Sequence, residues 1–142
     1  LGRGTYDLGK TTRTERPVRV GLATGVGGGT TLSFLQTLNE AYKAAQMNGY
    51  SLSAGHAFYL ATRGGAHALD LEDTIGRLAP GMEADLVVLD LKSTPLIAFR
   101  MRHAADLAEA LFIQMTLGDD RAVRATYAAG KRVYARPAQR FG

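Results

Sequence analysis

The run Thr24-Gly25-Val26-Gly27-Gly28-Gly29-Thr30-Thr31 constrains this chain more than any other stretch. Four glycines in five positions specify a backbone that turns sharply or lets something approach closely, because glycine alone enters positive-φ conformations without a Cβ clash. Upstream, Pro17 pushes its predecessor toward extended geometry, and Val18-Arg19-Val20-Gly21-Leu22-Ala23 alternates briefly at strand length. Downstream, Leu32, Leu35, Leu38, Tyr42 and Ala45 recur at helical spacing, with Thr30 or Thr31 as the cap and Gly49 as the stop. Strand, glycine loop and helix form half of a βαβ unit, which points to an α/β fold.

Residues 1–19 mix turn formers with charges and read as a connecting segment. A second helix is expected from Ser53 through His56, Ala57, Phe58, Leu60 and Ala61. It breaks at Gly64-Gly65, and a short piece from Gly65 to Leu69 ends before the acidic Asp70-Leu71-Glu72-Asp73. The texture then changes. Ile75 to Gly81 reads as a short extended stretch with a Pro-Gly turn, and Asp85 to Asp90 as a well-buried strand. A last helix carries Leu107, Ala110, Leu111, Gln114 and Leu117 on one stripe and closes at Gly118. Val123–Ala128 and Arg132–Ala135, joined through Ala129-Gly130-Lys131, suggest a hairpin. The first strand, Val18 to Ala23, needs neighbours that the rest of the chain does not obviously provide.

Several chemistries are excluded. No lysine lies between Lys10 and Lys43, so the glycine loop lacks the phosphate-holding lysine of a Walker A loop. Thr30 stands where a dinucleotide fingerprint needs its third glycine. With no cysteine, there is no disulfide, thiolate zinc site or cysteine nucleophile. His56, His67 and His103 are the only imidazoles, and the first two lie too far apart to share a helix face as a metal pair. Asp70, Glu72 and Asp73 lack calcium-loop spacing, and the Ser51 and Ser53 hydroxyls are better explained as helix caps. The net charge of +4 comes from the ends, since residues 121–142 hold six basic side chains and no acidic one. Only Tyr127, Tyr134 and Phe141 accompany them, with no repeated aromatic-basic stacking pattern, so this reads as a solvated tail and no nucleic-acid partner is expected. No apolar run approaches the roughly 20 residues that cross a bilayer, so no membrane partner and a cytoplasmic location are expected. Leu1 is not a methionine, which suggests a processed product or an excerpt of a longer chain.

Four stretches together carry a resemblance: Val18 through Thr30, Ala57-Phe58-Tyr59-Leu60-Ala61-Thr62-Arg63-Gly64-Gly65-Ala66, Gly81 through Asp90, and Leu117-Gly118-Asp119-Asp120-Arg121. The chain resembles the C-terminal part of guanine deaminases in the metal-dependent amidohydrolase superfamily. Glu83 to Asp90 matches the superfamily generally, whereas the triple glycine and Leu117 to Arg121 are similar to guanine deaminase more narrowly.

The resemblance implies a partial (β/α)8 barrel with C-terminal strands of a small β-sandwich. Val18 to Ala23 would be strand eight, residues 1–74 the C-terminal part of the barrel, and residues 75–142 the sandwich strands with an intervening helix and a basic tail. It also implies a zinc enzyme, homodimeric when complete, that hydrolyses guanine to xanthine and ammonia, with guanine or a related purine as its ligand. Zinc would lower the pKa of its water while carboxylates shuttle protons. The family's His-x-His pair, later metal histidines and glutamate proton shuttle belong to earlier strands, so no zinc is expected to bind tightly to this chain alone. The family's Gly-Thr-Asp at the end of strand eight reads Ala23-Thr24-Gly25 here. Gly25 occupies the aspartate position and offers no carboxylate to metal or proton; no catalytic, substrate-binding or metal-binding residue is therefore assigned. Two alternatives stand beside an inactive guanine deaminase segment. One is a segment of another amidohydrolase acting on an aminated heterocycle, and the other a non-catalytic pseudoenzyme or assembly piece.

Overall fold

The computed structural model describes residues 6–137. A short helix α1 (Leu8–Thr12) is capped by Asp7, whose carboxylate accepts the Lys10 N–H at 3.0 Å. Helix α2 (Phe34–Met47) forms where the leucine spacing predicts it and buries Leu35, Leu38 and Ala45. It starts later than expected. Thr31 accepts the Ser33 N–H just ahead of it, and Leu32 falls outside the helix, 75% exposed.

Helix α2 ends in a Schellman motif, in which Gly49 N–H reaches Gln46 O and Tyr50 N–H reaches Ala45 O while Gly49 holds φ +68°. Ser53 caps α3 (Ala54–Ala61) through the His56 N–H. The break before α4 (Arg63–Ala68) falls at Thr62 rather than at Gly64-Gly65, which lie inside α4.

The expected strand over Val18–Ala23 is not formed. Among the described residues no strand pairs with it, and the Leu22 N–H instead donates to Leu60 O at the end of α3 (3.0 Å). Its alternation still sorts the side chains, since Val20 and Leu22 pack against the core. Ile75 to Ala79 is also not a strand. Gly76 holds φ +93° over α4, where a Cβ would meet that of Ala66 at 2.7 Å. The Pro-Gly turn is present, with the Met82 N–H on Ala79 O and Gly81 at φ +85°.

The sheet is an antiparallel meander in the order β1 (Leu86–Leu89), β2 (Val123–Ala128), β3 (Lys131–Ala135). Strand β1 is not well buried as its apolar run suggests. Val87 and Val88 are exposed, because no element among the described residues covers them. The hairpin turns on Ala129 and Gly130 alone, both at positive φ as a type I′ turn requires, so Lys131 belongs to β3.

Two helices separate β1 from β2. The first, α5 (Pro95–Met101), was not anticipated, although Thr94 as cap with Pro95 behind it is a recognisable start. The second, α6 (Leu107–Leu117), buries Ala110, Ile113, Gln114 and Met115. Leu107, expected on the buried stripe, is 73% exposed. This helix touches α2, α3 and α5 and is apolar on most sides, so spacing alone does not select its buried face. Leu38, Leu52, Ala57, Leu60, Met115 and Ala122 form the centre of a core to which α2, α3, α6 and the residue before β2 all contribute.

Candidate functional site

The glycine loop sits at the end of the Val18–Ala23 segment. Gly25 at φ +63° and Gly27 at φ +83° bend the chain back, and the N–H groups of Gly28 and Gly29 both donate to Gly25 O, at 2.8 and 2.5 Å. Those two amides are thereby satisfied inside the loop. They do not form the outward-facing cradle that a phosphate would need. Gly29 is required by space, since a Cβ there would lie 1.9 Å from Thr24 O. Gly25 is not, because a Cβ there would meet only Gly29, with its nearest atom 3.6 Å away. A side chain at position 25 therefore has room, at the cost of a left-handed backbone that aspartate tolerates better than most residues.

Below the loop, the segment lies along α3 and α4. Leu22 meets Leu60, and a Cβ on Gly21 would approach Gly65 Cα to 2.7 Å, so backbone touches backbone there. Arg19 reaches the far end of α4, where its guanidinium donates to the Asp70 carboxylate and to His67 O.

The three histidines are dispersed. His56 Nδ1 lies 3.3 Å from the Tyr50 hydroxyl. His67 Nδ1 is 2.7 Å from Glu72 Oε1, a pairing the sequence reading missed although the residues stand five apart after a helix end. The Glu72 carboxyl is held below its ordinary range by a backbone N–H and by His67. His103 packs edge-on against Phe99 and lines, with Ser53, Arg100, Asp106, Glu109 and Phe112, a cleft of about 670 Å³. No glycine-loop residue lines this cleft. Its two carboxylates are engaged at the start of α6, Asp106 by the Glu109 N–H and Glu109 by the Ala105 N–H.

No group of three His, Asp or Glu side chains able to hold a metal ion occurs among the described residues. With glycine at position 25 and the histidines apart, the described donor set does not fit a zinc ion.

The motif aspartates instead tie the sheet. Asp85 accepts the Ala129 N–H at 2.7 Å and so fixes the β2–β3 turn onto the start of β1. Asp90 pairs with Arg136 and accepts the Lys92 N–H; the Arg136 guanidinium, foremost, holds its carboxyl below the ordinary range. Asp119 accepts the Arg121 backbone N–H and a two-point guanidinium contact, which likewise lowers its pKa. Arg19 and Arg136 were not singled out from the sequence, because each acts on a partner remote in the chain.

A profile of the amidohydrolase family matches residues 11–133. The guanine deaminase of Escherichia coli K12 is 51% identical over 136 residues, covering 96% of this chain and 30% of that protein. The crystal structure of guanine deaminase from Bradyrhizobium japonicum superposes with a TM-score of 0.84 at 31% identity, over 94% of this chain and 35% of that one. An adenosine deaminase from Xanthomonas campestris with bound zinc gives a TM-score of 0.60 at 27% identity, over 76% and 24%. The chain spans about 30% of the length of the curated guanine deaminases it matches.

Proposed function

The chain belongs to the amidohydrolase family, and we propose that it is the C-terminal segment of a guanine deaminase-type aminohydrolase. The observation that carries this reading is the 51% identity to a guanine deaminase along nearly the whole chain. On this reading Val18–Ala23 is the eighth barrel strand, left unpaired here because its neighbours are strands of the preceding barrel. Residues 1–74 belong to that barrel, and residues 75–142 supply the sandwich strands, an intervening helical stretch whose α6 packs back on α2 and α3, and a basic tail. The complete protein is a cytoplasmic homodimer that converts guanine and water to xanthine and ammonia.

The family is generally metal-dependent, and one structural neighbour is described with bound zinc. Because the described residues do not fit that ion, this chain's part is to shape and place the Thr24–Gly29 loop rather than to ligate. Barrel enzymes gather their chemistry at the C-terminal ends of strands, and on this reading the loop follows the eighth strand.

Gly25 at the family's aspartate position favours a second reading, in which the assembled protein no longer catalyses and keeps a binding or assembly role. Guanine turnover by the assembled parent protein separates the two, since the first reading expects xanthine and the second none. Sequencing the DNA upstream of the Leu1 codon is expected to reveal an in-frame barrel with a His-x-His strand. In that longer protein Gly25→Asp is expected to raise guanine turnover on the order of 100-fold, the scale of a positioned proton-transfer group. Xanthine formation by the 142-residue chain alone would overturn the segment reading. A parent protein as active as its Gly25→Asp variant would overturn the role given to position 25.

A further inference from the structure

Helices α2 and α4 end in the same way, yet with different residues at the critical position. At the end of α4 the Asp70 N–H donates to His67 O and the Leu71 N–H to Ala66 O, which is again the Schellman pattern. The residue that must turn left-handed is Gly49 after α2 but Asp70 after α4, at φ +57°. Glycine is the easy occupant of such a position. An aspartate there bears backbone strain and in return places a carboxylate beside the helix end. That carboxylate receives the Arg19 guanidinium, which also donates to His67 O.

The contacts between the segment and the helices run in order. Leu22 meets Leu60, Gly21 meets Gly65, and Arg19 meets His67 and Asp70, so the segment and α4 run antiparallel. The middle contact is glycine on glycine and has no side chain to stop one backbone sliding on the other. At the outer contact the Nη1 group of Arg19 alone donates to two acceptors, the Asp70 carboxylate and His67 O. Behind it, the His67–Glu72 pair clasps α4 to the turn that follows Asp70.

We propose that Arg19 is a positioning residue: by engaging Asp70 and His67 O it sets the register of Val18–Ala23 along α4, and so fixes where Thr24 and Gly25 sit. A slip of one residue along an extended chain moves the loop by roughly 3.3 Å, whereas a working site tolerates about 0.5 Å. The catalytic importance of that placement rests on the reading above, but the placement itself does not. Both side chains of the pair are exposed, so its contribution to global stability is small. Register and stability are therefore separable by experiment.

The test is amide hydrogen exchange with ¹⁵N spectra on the full chain, which needs no turnover. In Arg19→Gln the Leu22 amide is expected to exchange about tenfold faster, as for a locally released segment. The Gly25, Gly28 and Gly29 signals should shift, while the amides of Leu38, Ala45 and Ile113 stay as they were. Asp70→Gly reads the same contact from the other side and cannot fail through backbone strain, because glycine suits the left-handed position. It should release Leu22 equally while leaving Tm unchanged or higher. Arg19→Lys should restore only part of the protection, since a flexible ammonium lacks the rigid planar group that aims Nη1 at both acceptors. Unchanged Leu22 exchange in both Arg19→Gln and Asp70→Gly would overturn the proposal, as would acceleration spread evenly over α2 and α6. Inactivity of the assembled enzyme with normal register in these variants would count against the functional reading alone.

Discussion

The helical interior and the three-stranded sheet are held by different forces. Around Leu38, Leu52 and Met115, helices α2, α3 and α6 remove apolar side chains from water almost completely. In the sheet every residue of β3 is exposed and β1 shows Val87 and Val88 to solvent. What fixes the sheet is its backbone ladder, a two-residue turn, and ties at its ends from Asp85, Asp90 and Arg136. Pattern and burial thus part company. A run such as Leu86-Val87-Val88-Leu89 specifies a strand wherever it lies, but its burial depends on what is laid over it.

Mutation of matched apolar residues gives the largest contrast. Leu38→Ala removes a side chain that is 1% exposed and is expected to cost about 2–5 kcal/mol, whereas Val133→Ala, at a position 64% exposed, should stay within about 0.5 kcal/mol. Denaturant unfolding of the two variants measures both, and similar losses would erase the distinction between the regions.

A smaller effect of opposite sign is expected inside the helical core. Gln114 is fully buried, and among the described residues neither its amide nitrogen nor its amide oxygen has a hydrogen-bond partner. Gln114→Met keeps much of the volume and removes both stranded groups, and should stabilise by about 1 kcal/mol. A lower unfolding midpoint in that variant would show that the amide is satisfied in solution.

Acid should act most gently, and chiefly at the ends of the sheet. The Asp90 and Asp119 carboxyls sit below their ordinary value of 3.8 because Arg136 and Arg121 hold their charged forms. A folded-state pKa below the unfolded one gives stability that is complete above about pH 5 and is lost as pH falls through 4 and below. Asp90→Asn should flatten that decline in Tm. An unaltered acid profile in the variant would remove the Asp90–Arg136 tie from the account of the sheet.

How much of this was legible in the sequence follows the same division. Local signals were read correctly: Leu35, Leu38 and Ala45 for α2, Ser53 as a cap, and Ala129-Gly130 as a turn. Each depends only on residues a few positions away. Leu32 and Leu107 were assigned to buried stripes and lie in water, because periodicity marks a face without saying whether anything meets it. Val18–Ala23 has the alternation of a strand but, among the described residues, no strand beside it, and pairing is a property of two segments. Helix α5 was missed despite Thr94-Pro95, since its seven residues are too short for a stripe to emerge. At the candidate site the glycine loop was visible and its support was not. Arg19 and Asp70 lie 51 positions apart, and nothing in either neighbourhood announces the other.

The bond from the Ala129 N–H to Asp85 bears on the order of assembly. Its two ends stand 44 positions apart, with α5 and α6 between them. The β2–β3 hairpin closes through sequence neighbours, an event of about 1–10 μs, whereas β1 pairs across a long intervening stretch and is expected to join later. Until then the inner edge of β2 is open, and an open edge accepts any strand that comes first. How long a chain stays open to pairing with another is therefore expected to depend on how quickly α6 settles onto α2 and α3, well away from the sheet itself.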